Sequence, residues 1–433
     1  MVRRIIPVSS GKGGVGKTTF SVNFALSLSR VAPTILVDLD TGTSSVRNTI
    51  STRVDKDLYH FARKGAKLSE CITRLDAAHD PQGRFSNFGF IAGPRHFIAD
   101  LANPDAELRR RIAVEINQLP AEYVIVDLRA GLDDQVLDFL PYTNSGVLIF
   151  TPHHPAATLA ASDIVKAIIF RSLRIVFRRD SRFFAQPGMS PYHGMVNDLL
   201  DRVEDVYDPS LPHLDAFIVE LEEAFGRHPI LGVIAETLQS FRVHYVLNMF
   251  DGVQESYEGA VEPFVRNLAE NVSARLNLTQ LGWIVYDKKV DAANSSGFPI
   301  LLDRAKQRQA PIDPVLAELE SIESALLGVR AKKRRQRPAR RHPRGAASAA
   351  FDNAVETEDL LANQLDALSA MYTGRPKDAV RENFGYLVYR ALNLMAPHMG
   401  ASEFGQTQLA APAQLESWYL DWQRGFGGAG GRS

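Results

Sequence analysis

Residues Ser10-Gly11-Lys12-Gly13-Gly14-Val15-Gly16-Lys17-Thr18-Thr19 decide the reading of this 433-residue chain. They satisfy the G-x-x-x-x-G-K-[ST] spacing between an apolar run, Ile5 to Ser9, and a stretch with helical apolar periodicity. Glycines let such a loop curl until its backbone N–H groups face inward, and the helix that follows adds the positive end of its dipole. The segment is therefore built to hold phosphate oxygens. In this arrangement Lys17 reaches the β- and γ-phosphates, the Thr18 hydroxyl can ligate Mg²⁺, and Thr19 is a natural contact for the α-phosphate. A chance Gly-rich turn would not be followed by a helix in this register.

Outward from the loop, short apolar runs alternate with helical stretches from Arg4 to about Leu327, the pattern of a parallel sheet covered on both faces. The candidate strands are Ile5 to Ser9, Thr34 to Asp38, Phe88 to Ala92, Tyr123 to Leu128, Gly146 to Thr151, Val243 to Met249 and Leu281 to Val285. The expected fold is α/β, a mostly parallel, doubly wound P-loop sheet with a C-terminal helical appendage. Ligands of such sheets collect beyond the carboxyl ends of the strands. There the second run ends in two carboxylates, Asp38 and Asp40, and the fourth carries Asp127. Arg-rich, aromatic sequence and two helices, around Asp215 to Phe225 and Ile230 to Phe241, mark 171–240 as an insertion. Pro7 lies inside the first strand, where it removes a ladder N–H.

The second lysine, Lys12, within Gly-Lys-Gly-Gly-Val-Gly-Lys-Thr-Thr, resembles the deviant Walker A loop of the MinD/ParA class of P-loop ATPases, and Ser10-Gly11 looks closest to its MinD and FlhG branch. The resemblance implies that Gly11, Gly13, Gly14, Val15, Gly16, Lys17, Thr18 and Thr19 bind ATP. It implies that Lys12 crosses a dimer interface to the partner's nucleotide, so that hydrolysis waits on assembly. A second cation at the phosphates stabilises the spreading charge as an arginine finger does. By the same resemblance Asp38 orients the attacking water, Asp40 lies near the metal or the switch loop, Asp127 holds through water the Mg²⁺ that Thr18 ligates, and Gly131 is a switch hinge. Val246-Leu247-Asn248 resembles the strand whose Asn reads adenine, with a capping or turn role for Asn248 as the competing reading. Tyr286 falls in a segment resembling the loop that closes over the base, at a position where the family often has Pro. Two departures stand out: Thr41-Gly42-Thr43-Ser44-Ser45 lacks the expected Asn, and Leu128-Arg129 replaces a small-Pro pair. The resemblance covers about residues 3–310 apart from the insertion.

The length exceeds one ordinary core. The expected units are an ATPase-like domain at 1–329 with its insertion at 171–240, a basic flexible linker at 330–350, a helical region at 351–425 and a disordered Gly-rich tail at 426–433. The formal charge of -1 is unevenly spread, because nine basic residues and no acid lie between Arg330 and Arg344. That run reads either as a solvated linker or as a salt-sensitive contact for acidic lipid or nucleic acid. A lone Cys71 excludes an internal disulfide and fits a reducing, cytoplasmic home, with no secretory segment or membrane span expected. His153-His154 lacks a third metal ligand at suitable spacing, and Leu415, Trp418, Tyr419 and Trp422 read as packing within the helical region. The expected function is a slow, Mg²⁺- and ATP-dependent dimerising ATPase switch that positions a division, motility or polar machine in a bacterial cell. Its expected partners are a second copy of the chain when ATP is bound and an unidentified protein on the insertion or C-terminal region. The cytoplasm, the membrane's inner face or the nucleoid would be its place. The rivals are a metabolic phosphoryl-transfer enzyme and a nonhydrolysing nucleotide-binding scaffold.

Overall fold

A computed structural model of the chain describes residues 4–40, 45–205, 207–208, 210–226, 228–302, 346–373 and 380–395. Seven strands form where the apolar runs predict them: β1 Arg4–Ser9, β2 Thr34–Asp38, β3 Phe88–Ile91, β4 Tyr123–Asp127, β5 Asn144–Phe150, β6 Arg242–Phe250 and β7 Asn277–Val285. All pair in parallel, in the order β3-β2-β4-β1-β5-β6-β7. Successive residues of each strand feed opposite cores: Ile5, Ile35, Val124 and Leu148 enter one, and Ile6, Leu36, Ile125 and Ile149 the other. This two-sided burial is why the runs are continuously apolar rather than alternating.

The main helices are α1 Lys17–Ser29, α2 Ser45–Thr49, α3 Ala106–Ile116, α4 Pro155–Val176, α5 His193–Glu204, α6 Leu214–Phe225, α7 Pro229–Ser240, α8 Glu262–Asn271, α9 Lys288–Ser295, α10 Ala346–Thr373 and α11 Val380–Leu394. Helices α1 and α11 pack in one core, while α3 to α8 and α10 pack in the other. The insertion contributes α5, α6 and α7. Helix α5 is not expected from the sequence: its buried Val196, Leu199, Leu200 and Val203 follow helical spacing but come directly after a Gly- and Pro-containing stretch. The break expected at Arg171 is absent, because α4 continues unbroken to Val176.

Pro7 is accommodated by its neighbour. Leu128 N–H donates to Val8 O in β1, so Val8 faces β4 and Pro7 faces β5. Pairing of β1 with β5 begins only at Val8, and β5 carries an irregularity between Asn144 and Val147 where the missing donor would fall. Gly146 makes this possible: its φ is +61, and a Cβ there would lie 2.5 Å from Pro7 O. Its N–H is taken instead by Asn144 Oδ1 at 2.9 Å.

The C-terminal helices expected from the sequence are present, and they pack on the sheet and close its β7 edge. Phe384 and Leu387 of α11 enter the core of α1, with Phe384 beside Phe20 at a ring separation of 6.3 Å. The outer edge of β7, otherwise open to strand addition, meets side chains from both helices. Gln364 donates to Leu278 O at 3.4 Å, Arg390 to Gln280 O at 2.9 Å, and Asn383 Oδ1 accepts the Val285 N–H at 3.1 Å. The cavity between Arg4, Phe24, Tyr123 and Met395 has a volume of about 10 Å³, room for one water at most. Helix α10 starts at Ala346, inside the stretch expected to be linker. The basic run 330–344, the aromatic stripe at Leu415 to Trp422 and the Gly-rich tail lie outside the described residues. Among the described residues no helix is long and apolar enough to cross a membrane.

Because Phe384 is fully buried, Phe384→Ala is expected to cost about 3–5 kcal/mol, the usual range for emptying an aromatic core site. Urea denaturation checks this. An unchanged midpoint would mean that α11 does not belong to the folded core.

Candidate nucleotide site

The loop from Ser10 to Gly16 leaves the carboxyl end of β1 near the middle of the sheet. Two glycines are set there by geometry. A Cβ on Gly11 would lie 2.4 Å from the backbone of Ala160, so this residue lets α4 approach the loop. Gly16 takes φ +81 at the N-cap of α1 and provides no capping side chain, which leaves the helix's first N–H groups for an external acceptor. Gly13 and Gly14 face open space. The loop is tied to the β4 end by Gly131, whose N–H donates to Ser10 O at 3.0 Å.

Beneath the loop, one buried carboxylate organises the site. Asp127 Oδ1 lies 2.8 Å from Lys17 Nζ and accepts from Ser21 Oγ at 2.8 Å, while Oδ2 accepts from Thr18 Oγ1 at 2.7 Å. Lys17 also lies 3.9 Å from Asp40 Oδ2. Ser21 is absent from the residues singled out by sequence; its signal is its place one helical turn after Lys17, on the same face of α1. Asp38 is wholly buried and accepts from the N–H groups of Asp40, Val46 and Gly93 at 3.1, 3.3 and 3.4 Å. Burial first, then the nearby Asp127 and Asp40 carboxylates, push its pKa up to about 8 against the pull of Lys17 and the Val46 N–H. Both influences favour the protonated form of Asp38.

The cluster thus gathers Lys17, Thr18, Asp38, Asp40 and Asp127. Lys12 sits exposed on the loop above it, and Tyr286 is exposed on the turn after β7, 6.5 Å ring to ring from His153. Asn248 points inward: its Nδ2 donates to Val15 O at 2.7 Å and presses on Gly16, where a Cβ would be 2.2 Å away. In this position it braces the loop. Cys71 is buried, and burial together with Asp57 raises its thiol to about 11, leaving it inert. Among the described residues no group of three or more His, Cys, Asp or Glu side chains is placed to hold a metal alone. The Thr18 hydroxyl and Asp127 carboxylate suit a Mg²⁺ that takes its remaining ligands from phosphate and water, as this cation usually does. Thr41 to Ser44, the expected switch, lie outside the described residues.

Residues 3–167 match the profile of a family described as an AAA domain. These residues resemble the P-loop domain of the MinD/ParA class of ATPases. Over 170 residues the chain is 24% identical to the septum site-determining protein MinD of Helicobacter pylori, covering 38% of this chain and 58% of that one. It is 27% identical over 159 residues to the flagellum site-determining protein YlxH of the same organism, covering 36% and 50%. It is 29% identical over 160 residues to an iron–sulfur cluster carrier of Bacillus subtilis, covering 36% and 42%. The chain spans 51%, 58% and 63% of the length of the first three curated relatives it matches. Among solved structures, MinD of Pyrococcus horikoshii with Mg-ADP aligns at 15% identity and TM-score 0.41, over 70% of this chain and 90% of that one.

The raised Asp38 pKa has a signed consequence. Between its ordinary value of 3.8 and about 8 the folded P-loop domain holds a proton that the unfolded chain has lost. Stability contributed at this position therefore falls as pH rises through that window. Asp38→Asn, neutral throughout, is expected to gain on the wild type steadily from pH 4 to pH 8 in EDTA without nucleotide. Thermal melts across this range check it, and a gain that shrinks with rising pH would contradict the assignment.

Proposed function

We propose that the protein is a Mg²⁺- and ATP-dependent dimerising ATPase switch that positions or regulates a division, motility or polar machine in a bacterial cell. The observation that carries this reading is the unequal placement of the loop's two lysines: Lys17 is buried on Asp127, whereas Lys12 is exposed on the loop. One cation is set to serve the chain's own phosphates and the other to serve a facing copy.

On arrival of nucleotide the β- and γ-phosphates would draw Lys17 from Asp127, leaving Asp127 and Thr18 to hold Mg²⁺. Bound Mg²⁺ neutralises phosphate charge. The uncapped start of α1 and the loop N–H groups supply fixed donors, Asp38 orients water, and Lys12 of the second copy adds positive charge where it develops. Asn248 would act through Val15 on the shape of the loop, and Tyr286 would lie against the base.

The spatial role follows the likeness to septum- and flagellum-site-determining relatives. The likeness to an iron–sulfur cluster carrier is a rival, but the chain's lone cysteine, buried in the core, offers that cargo no thiolate pair. The insertion and the C-terminal region would meet a protein partner, and the basic run 330–344 an anionic surface.

Turnover of Mg-ATP measured against protein concentration tests the switch. The rate per protomer is expected to climb with concentration, and Lys12→Ala is expected to abolish that climb while Mg-ATP binding persists. A rate independent of concentration, or equal loss of binding in Lys12→Ala and Lys17→Ala, would contradict the cross-subunit role.

A further inference from the structure

Helix α9 is hydrogen-bonded to the phosphate loop's helix through the Asn294 side chain. Asn294 Nδ2 donates to Thr19 Oγ1 at 2.8 Å, while Asn294 Oδ1 is buried without a hydrogen-bond partner among the described residues. A buried amide oxygen is seldom left unpaired, so the side chain is held here by something other than its own hydrogen-bond balance. The turn behind it supplies the constraint. Gly297 takes φ +72, and a Cβ there would lie 1.6 Å from Ser51 Oγ. The Gly297 carbonyl accepts from the Ser51 N–H at 3.2 Å and from Ser51 Oγ at 3.3 Å, and it faces His79 Nε2 at 3.2 Å. Phe298 stacks on the His79 ring at 4.3 Å, and its N–H returns to Ala293 O. The end of α9 is thereby fixed to the segment after α2, and Asn294 is presented to Thr19 in one position.

A threonine hydroxyl carries one proton and two acceptor sites. With Asn294 donating into one of those sites, the Thr19 proton points elsewhere, and no acceptor among the described residues takes it. We propose that Asn294 is a positioning residue for nucleotide binding: it sets Thr19 as a hydrogen-bond donor to the phosphate nearest the nucleoside. The proposal rests on the reading of the loop as a Mg-ATP site. It adds that the strength of that site depends on a residue of α9, more than 270 positions along the chain.

Calorimetric titration of the full chain with Mg-ATP tests it, using Asn294→Ala, Asn294→Asp, Thr19→Val and the Thr19→Val/Asn294→Ala double variant. Asn294→Ala is expected to weaken binding roughly three- to tenfold, the net worth of one hydrogen bond. Asn294→Asp is expected to weaken it further, because a carboxylate would take the Thr19 proton and add negative charge beside the phosphate. In the Thr19→Val background Asn294→Ala is expected to add no further loss. A side chain that merely held the fold would lower the melting temperature yet give additive losses, so additivity overturns the proposal, as does Asn294→Asp binding as tightly as Asn294→Ala. Should Asn294→Ala not fold, Asn294→Asp against wild type carries the decision, and equal affinity overturns it. Wild type failing to bind Mg-ATP would sink the nucleotide reading itself, and this proposal with it, whereas binding by wild type with additive losses sinks the proposal alone.

Discussion

The site depends on a carboxylate that the fold has taken out of water. Asp127 is fully buried at the end of β4, and it is tolerable there because a cation and two hydroxyls from one face of α1 donate to it. An isolated charge in that position would cost several kcal/mol. The same donors that stabilise Asp127 are those that phosphate and Mg²⁺ would claim. Binding would then exchange one set of partners for another around Asp127.

That frame is made by distant parts of the chain. The parallel order of β2, β4 and β1 puts Asp38 and Asp127 in register on adjacent strands. Gly131 ties the β4 loop to Ser10, Asn248 holds Val15, and Asn294 holds Thr19. Behind these, α11 packs on α1 through Phe384 and Phe20, so the C-terminal helices belong to the body that carries the loop. The C-terminal helices therefore pack directly on the helix that carries Lys17 and Thr18.

Much of this is legible in sequence, for physical reasons. Parallel strands buried on both faces appear as continuous β-branched runs, and the loop's glycines and lysines have a spacing that few other structures need. Asp38, Asp40 and Asp127 are found because carboxylates at strand ends are locally visible. What stays hidden depends on contacts between remote segments. Nothing near Pro7 announces the bulge at Gly146 that accepts it, and nothing near Ser21 or Asn294 shows that they touch Asp127 and Thr19. A helical period marks α10 and α11 but cannot say that their side chains will close the edge of β7. Asn248 has the residue type suited to a base edge, yet its amide is turned onto the loop backbone.

The most direct measurement is a crystal structure of the full chain with Mg²⁺ and a nonhydrolysable ATP analogue. The account predicts Lys17 drawn from Asp127 to the β- and γ-phosphates, Mg²⁺ on Thr18 and Asp127, and Lys12 of a second copy over the same triphosphate. An empty loop at saturating analogue, with Lys17 still on Asp127, would contradict it.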